Sequence, residues 1–312
     1  MKNNMRVDGT AYLRKKGPQW AWKLAATAVD FFFPWGTYCV CCGNFIDNRR
    51  SYLLCDHCIH HITWGNVEIP PESLKHNHFT GPEAEFLQRE DGIPLDSIRA
   101  CMKYGLYERR LIFELKYNRH TFMARILGKI LADRILNDPG AAELVGADFI
   151  IPVPMHKAKE RQRGFNQAVK TARYLGCFLG IPVLEDGLMR RESTAAQRSV
   201  EGKDRLANLS GAFAAGTVHS RIGRIDRRGR IDRGERKYGI RSAKKISLAE
   251  AVRGKRVILL DDIFTTGATV LHCGRVLKEA GAAEVHVLVL ATGNDYAVGF
   301  FENPLANAEE IM

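Results

Sequence analysis

The stretch Val257–Thr269 reads VILLDDIFTTGAT. Val257 to Leu260 form an unbroken apolar run of the kind found in strands buried on both faces, and Asp261 and Asp262 follow where that run stops. A short loop of hydroxyl and glycine residues comes next (Thr265, Thr266, Gly267, Thr269), then helical periodicity from Val270 to Ala280 closed by Gly281. Such a loop can aim several backbone N–H groups and hydroxyls at one anion, and the positive end of the following helix adds to the attraction. The stretch therefore predicts a phosphate seat in an α/β fold. Carboxylates on its rim repel phosphate, so they are expected to serve what the phosphate carries, either sugar hydroxyls or a Mg²⁺ shared with further phosphates. Neither G-x-x-x-x-G-K-[ST] nor a G-x-G-x-x-G after a strand occurs, which sets aside two other phosphate-binding designs.

On either side of this stretch the pattern is that of a parallel sheet. Val285–Leu290 reads as a further buried strand and completes a strand–helix–strand unit. Phe149–Val153 is another apolar strand, and it runs into Pro154-Met155-His156-Lys157 and then Arg161, Arg163, Gly164, Phe165, Asn166 and Gln167, which open a helix to about Leu179. If both strands share one sheet, their trailing loops lie on one rim, and His156, Lys157, Arg161 and Arg163 are placed to meet a second anionic group. Tyr107–Tyr117 and Thr121–Leu136 carry helical periodicity, the second stopped by Asp138-Pro139-Gly140. Both read as packing elements and not as chemistry.

The N-terminal region is of a different kind. Cys39-Val40-Cys41-Cys42-Gly43 and Cys55-Asp56-His57-Cys58 give the spacing C-x₂-C-x₁₂-C-x₂-C, suited to four thiolates around one structural Zn²⁺. Cys41 is an alternative ligand at the first knuckle, and His57 or His60 at the second. Four protein ligands close the metal's shell, so no catalytic water is expected. Residues 1–20 are polar and basic, Ala21–Phe33 has the pattern of a short amphipathic helix ended by Pro34, and Ile62–Ile98 reads as a linker with short elements.

The 312 residues suffice for one sizeable α/β domain and a smaller module. The net charge of +11 is local: Thr217–Lys245 holds eleven Lys/Arg against three Asp/Glu, which leaves the remainder only mildly basic. That segment contains a tandem hexapeptide, Gly223–Arg228 then Gly229–Gly234, too poor in apolar residues to fold alone, and it is expected to be a disordered surface loop, either a site for nucleic-acid phosphates or simple solvated filler. No run approaches the roughly twenty apolar residues of a membrane span. Trp20–Trp35, broken by Lys23 and Asp30, makes a poor signal peptide, so a cytoplasmic protein is expected.

The acidic pair and T-T-G-x-T loop resemble the PRPP-binding loop of type I phosphoribosyltransferases. That resemblance implies that Thr265, Thr266, Gly267, Ala268 and Thr269 hold the 5′-phosphate and that Asp261 and Asp262 hold the ribose hydroxyls. More narrowly, the order of paired CxxC knuckles, YERRLIFELKY, PVPMH…RQRGFNQA, Arg191…Thr194…Gln197…Arg205…Asn208…Phe213 and then the loop is similar to the ComF family of competence-associated proteins. The similarity runs from about Phe32 to Leu290, and the Thr217–Lys245 insert departs from it. The fold implied is a type I phosphoribosyltransferase-like parallel sheet flanked by helices, with a small N-terminal zinc ribbon. The expected division is tail and helix at 1–34, zinc ribbon at 35–65, linker at 66–100, phosphoribosyltransferase-like domain at 101–300 with the insert at 217–245, and tail at 301–312.

Two functions are expected from this resemblance. One is an enzyme that binds PRPP or a related ribose phosphate with Mg²⁺ and transfers the ribose 5-phosphate to an acceptor, with His156–Arg163 on the pyrophosphate side, in a process of DNA uptake. The purine-salvage members carry an aspartate base where this chain has Thr265, and a threonine does not do that work at neutral pH, so a free purine is a doubtful acceptor. The other is an accessory protein without catalysis, which uses the zinc ribbon and the basic insert to bind single-stranded DNA or a competence helicase.

Overall fold

A computed structural model describes residues 37–47, 51–76, 92–117, 122–191, 212–218, 220–221, 224–225, 231–232 and 246–293. The expected helix at Ala21–Phe33 and the motif residues Thr194 to Asn208 lie outside them. The chain divides into two compact units, Met1–Asp56 and His57–Met312.

In the first unit the backbone turns tightly after Cys39. The Gly43 N–H donates to Cys39 O at 2.8 Å and the Cys39 N–H to Asn44 O at 2.7 Å. Gly43 sits at φ 75°, a left-handed conformation that glycine enters without a Cβ penalty. Tyr38 and Phe45 bridge across this turn, with their rings edge to face at 6.1 Å.

Proceeding along the chain, the elements are α1 (Asp56–His61), β1 (Trp64–Glu68), β2 (Ser97–Lys103), α2 (Leu106–Tyr117), α3 (Met123–Leu136), α4 (Ala142–Val145), β3 (Phe149–Pro152), α5 (Lys157–Arg163), α6 (Gln167–Leu179), β4 (Val183–Leu184), β5 (Leu188–Arg190), β6 (Phe213–Ala215), β7 (Thr217–Val218), β8 (Ser220–Arg221), β9 (Arg224–Ile225), β10 (Ile231–Asp232), β11 (Ile246–Ser247), α7 (Leu248–Val252), β12 (Arg256–Phe264), α8 (Ala268–Glu279) and β13 (Glu284–Thr292). The main sheet has seven strands in the order β1-β2-β13-β12-β3-β4-β8. The inner strands pair in parallel, and β1 and β8 run antiparallel at its two edges.

Alternation along the inner strands builds one core layer. Ile98 and Ala100 of β2, Val285, Val287 and Val289 of β13, and Val257 and Leu259 of β12 gather with Val270, Leu271, Cys273 and Leu277 of α8 and Leu248 and Val252 of α7. Ile258 and Leu260, one step out of that register, are equally buried, so the sheet is covered on both faces. A continuous apolar run in β12 follows directly from this double cover.

Two features differ from the sequence reading. The strand does not stop before the acids: β12 continues to Phe264 because β13 runs beside it, pairing Asp261 with Val289 and Phe264 with Thr292. Within Ile62–Ile98, Trp64–Glu68 joins the main sheet as an edge strand, and Pro71–His76 forms a 3₁₀ turn that brings Leu74 into the core. In the basic insert the described residues form short pairs, Ile225 and Arg224 with Ile231 and Asp232, Ser220 and Arg221 with β4, and Thr217 and Val218 with β11, and the rest of the segment expected to be disordered lies outside the described residues.

Candidate functional site

The carboxyl ends of β3 and β12 are neighbours. Leu260 lies opposite Pro152, and the Val153 N–H donates to Leu260 O at 2.9 Å, so the chain leaves β3 beside Asp261. Ligand sites of parallel sheets form on this rim. Beyond Asp261 and Asp262, Phe264 plugs the core, and Thr265 and Thr266 stand exposed. Gly267, at φ 87°, begins α8. A Cβ there would come within 2.5 Å of Leu74 Cδ2 and 3.0 Å of Phe264 Cζ, so both the dihedral and the packing require glycine. In the loop, the Ala268 N–H donates to Thr266 Oγ1 at a long 3.4 Å. Among the described residues, no protein acceptor faces the amides of Thr265, Gly267 or Thr269. A loop with spare amides at the start of a helix of twelve residues is chemically a receptor for a small anion.

The two acids meet different partners. Asp261 keeps the register of Val257 and Leu259, and its charge is felt by buried Cys273 of α8 and by Arg190. Its carboxyl is pushed up to about 7, by burial first and then by the charge of Asp262, while the Asp262 amide, Lys116 and Arg190 act in the opposite sense. The Asp262 N–H donates to Asp261 Oδ1 at 2.8 Å. Asp262 keeps the register of Ile258 and Leu260, and its Oδ2 accepts an ion pair from Lys116 Nζ at 2.6 Å. Arg190 also lies over the ring of Phe213, 5.4 Å from its centroid, and Phe213 stacks on His272 of α8.

The basic turn is anchored at both ends. His156 caps α5 by accepting the Ala158 N–H at Nδ1, and Gly164, at φ 85°, closes the helix. Asn166 caps α6 and donates its amide to Val153 O at 3.0 Å, tying the turn back to β3. Lys157 and Arg161 point into solvent, and Arg163 is half-buried. Among the described residues, no ion pair joins His156, Lys157 or Arg161 to the acidic pair. Among the described residues, the cations whose charge reaches Asp261 are Lys116, which the sequence reading placed at the end of a packing helix, and Arg190, to which it assigned no part. No local motif marks them: Lys116 ends a helix whose periodicity speaks only of burial, and Arg190 ends a strand of three residues.

The thiols of Cys39, Cys42, Cys55 and Cys58 all lie within 4.8 Å of one another, and the Cys42 and Cys55 sulfurs are 3.5 Å apart. Zn–S bonds of about 2.3 Å in a tetrahedron place sulfurs roughly 3.8 Å apart, so the cluster could hold a metal such as zinc. Burial works to raise the Cys39 thiol, but backbone N–H groups of Cys55, Cys42 and Cys41 and the Cys42 side chain outweigh it and bring the thiol down to about 7. Thiolate character of that kind favours metal binding. Cys41 and the two histidines stand outside the cluster, and His57 Nε2 bonds instead to the Tyr107 hydroxyl at 3.1 Å.

Comparison with known proteins agrees with this architecture. The family model for the phosphoribosyl transferase domain matches residues 210–298. Competence protein F of Haemophilus influenzae is 28% identical over 181 residues, 58% of this chain and 66% of its own length. DNA utilization protein YhgH of Salmonella typhi is 26% identical over 256 residues, 82% of this chain and 90% of its own. Ribose-phosphate pyrophosphokinase 1 of Streptococcus pneumoniae is 26% identical over 54% of this chain and 48% of its own. The match to Competence protein F thus spans just under two thirds of that relative. Among the described residues no helix is long and apolar enough to cross a membrane. The chain thus combines a phosphoribosyl transferase domain on a mostly parallel sheet with a four-cysteine cluster, and it is similar to Competence protein F and DNA utilization protein YhgH, in line with the ComF resemblance of its motifs.

Proposed function

We propose that the rim formed by Asp261, Asp262 and Thr265–Thr269 binds PRPP or a related ribose phosphate. The observation that carries this reading is the glycine-led loop with spare amides, set directly after two carboxylates at the carboxyl end of a central parallel strand. The 5′-phosphate takes the amides of Thr265, Gly267 and Thr269 and the threonine hydroxyls. The ribose 2′- and 3′-hydroxyls donate to the carboxylates. His156, Lys157, Arg161 and Arg163, on the neighbouring rim, face the pyrophosphate side once a ligand bridges the two loops. As the bond from ribose C1 to pyrophosphate weakens, positive charge grows on the ribose ring and is offset by the acidic pair, while the basic turn receives the negative charge of the leaving group.

The donors on the rim suit Mg²⁺ only in part. Asp262 already holds Lys116 and Asp261 already accepts a backbone amide, so these two carboxylates would offer Mg²⁺ only part of a ligand set, and phosphate oxygens of the substrate would have to supply the rest. Bound there, it would screen the charge of the leaving group. Zinc on Cys39, Cys42, Cys55 and Cys58 serves structure: four protein thiolates leave it no open position. The ComF and YhgH relatives support a role in competence and the use of incoming DNA.

Titration calorimetry of the full chain with PRPP and Mg²⁺ tests the reading, followed by pyrophosphate release against a panel of acceptors. Binding that disappears in Asp261→Ala/Asp262→Ala supports it. Absence of binding by the wild type, together with a salt-dependent affinity for single-stranded DNA that survives the double substitution, supports instead the accessory role through the basic insert and the cysteine module.

A further inference from the structure

The contact of Lys116 with Asp262 is the feature of the rim that the foregoing chemistry leaves unexplained. Lys116 Nζ lies 2.6 Å from Asp262 Oδ2, and the two side chains are only 18% and 22% exposed. Anchoring of α2 does not require this pair. Leu111, Ile112 and Leu115 are buried to within 2% of full coverage, and Glu108 fixes the start of the helix by accepting the N–H groups of Thr63 at 2.6 Å and Gly105 at 3.1 Å. A lysine rooted on a rigid helix therefore holds one oxygen of a carboxylate on the candidate ribose seat and leaves the other oxygen free to accept. Two adjacent carboxylates also repel, and the lysine charge acts on both, through contact with Asp262 and through space on Asp261.

We propose that Lys116 is a positioning residue of the ribose-phosphate site, clamping the Asp262 carboxylate in the orientation that receives a ribose hydroxyl. The proposal builds on the reading of the acidic pair as the ribose seat and of the threonine loop as the phosphate seat, and it separates them: the lysine belongs to the ribose half alone. Its removal frees the Asp262 side chain to rotate and leaves the pair without its contact cation, whereas the loop amides are untouched.

The test is calorimetric titration of the full chain, as wild type, Lys116→Met and Lys116→Arg, with ribose 5-phosphate and separately with inorganic phosphate. Loss of a charged hydrogen bond predicts about 10–100-fold weaker ribose 5-phosphate binding in Lys116→Met, with inorganic phosphate unchanged. Lys116→Arg recovers most of the loss, since the guanidinium restores charge and donors. Equal loss of both ligands marks the pair as a tether of the fold and overturns the proposal, as does tighter ribose 5-phosphate binding, which marks the lysine as an obstruction. Wild-type protein that binds neither ligand refutes the ribose-phosphate reading itself, and the proposal with it. A wild type that binds both beside an unaffected Lys116→Met refutes the lysine's role alone.

Discussion

Gly267→Ala is the perturbation whose cost the geometry defines best. At φ 87° an alanine pays about 1–2 kcal/mol for the left-handed conformation. Its methyl would also stand 2.5 Å from Leu74 Cδ2 and 3.0 Å from Phe264 Cζ, and both of these side chains are fully buried. Neither can yield into solvent, so overpacking adds about 1–3 kcal/mol. The total expected is about 2–5 kcal/mol, a large part of the roughly 5–15 kcal/mol that holds a domain together. Gly254→Ala supplies the control: it too sits in the left-handed region, at φ 66°, but a Cβ there meets nothing within 4 Å, so only the backbone cost applies. Urea denaturation followed by far-ultraviolet circular dichroism separates the two, because a difference of about 2 kcal/mol moves the midpoint by roughly 1 M at an m-value of about 2 kcal/mol per M. Leu74→Ala placed in the Gly267→Ala background should recover part of the difference by vacating the space. Equal midpoints for the two single alanine variants would refute the argument that packing, beyond the dihedral, demands glycine at the head of α8.

Asp261→Asn should stabilise the protein while weakening ribose-phosphate binding. With its carboxyl raised from 3.8 to about 7, the folded state binds more protons than the unfolded across that window, so this group's contribution falls as pH rises from about 4 to 7. The asparagine variant lacks that fall, and its melting temperature gains on the wild type as pH rises to 8. Arg99→Ala removes a buried guanidinium that binds Glu143 at 2.8 Å, Asp138 at 3.4 Å and the Gly140 carbonyl, and its cost in urea denaturation should be about 3–5 kcal/mol. Purified protein should carry one zinc per chain by elemental analysis. Cys58→Ser should abolish that zinc content and Cys177→Ser, remote in sequence from the knuckles, should leave it intact; retention by Cys58→Ser would speak against the four-thiol site.

The amino-acid sequence by itself determined the elements whose cause is local. The apolar run Val257–Leu260, the hydroxyl- and glycine-rich turn Thr265–Thr269 before a helix, the helical periods of α2, α3 and α6, and the cysteine spacing each encode their structure within a few residues. Only the tertiary structure decided what depends on a distant strand or helix. β12 carries on past its acids because β13 offers main-chain partners as far as Thr292, and Trp64–Glu68 becomes a strand because β2 offers it an edge. Lys116 is the sharpest case. Periodicity reports which face of α2 is buried, but whether its last cation meets an acid is set by how that helix packs against the sheet, and no spacing within the helix records it.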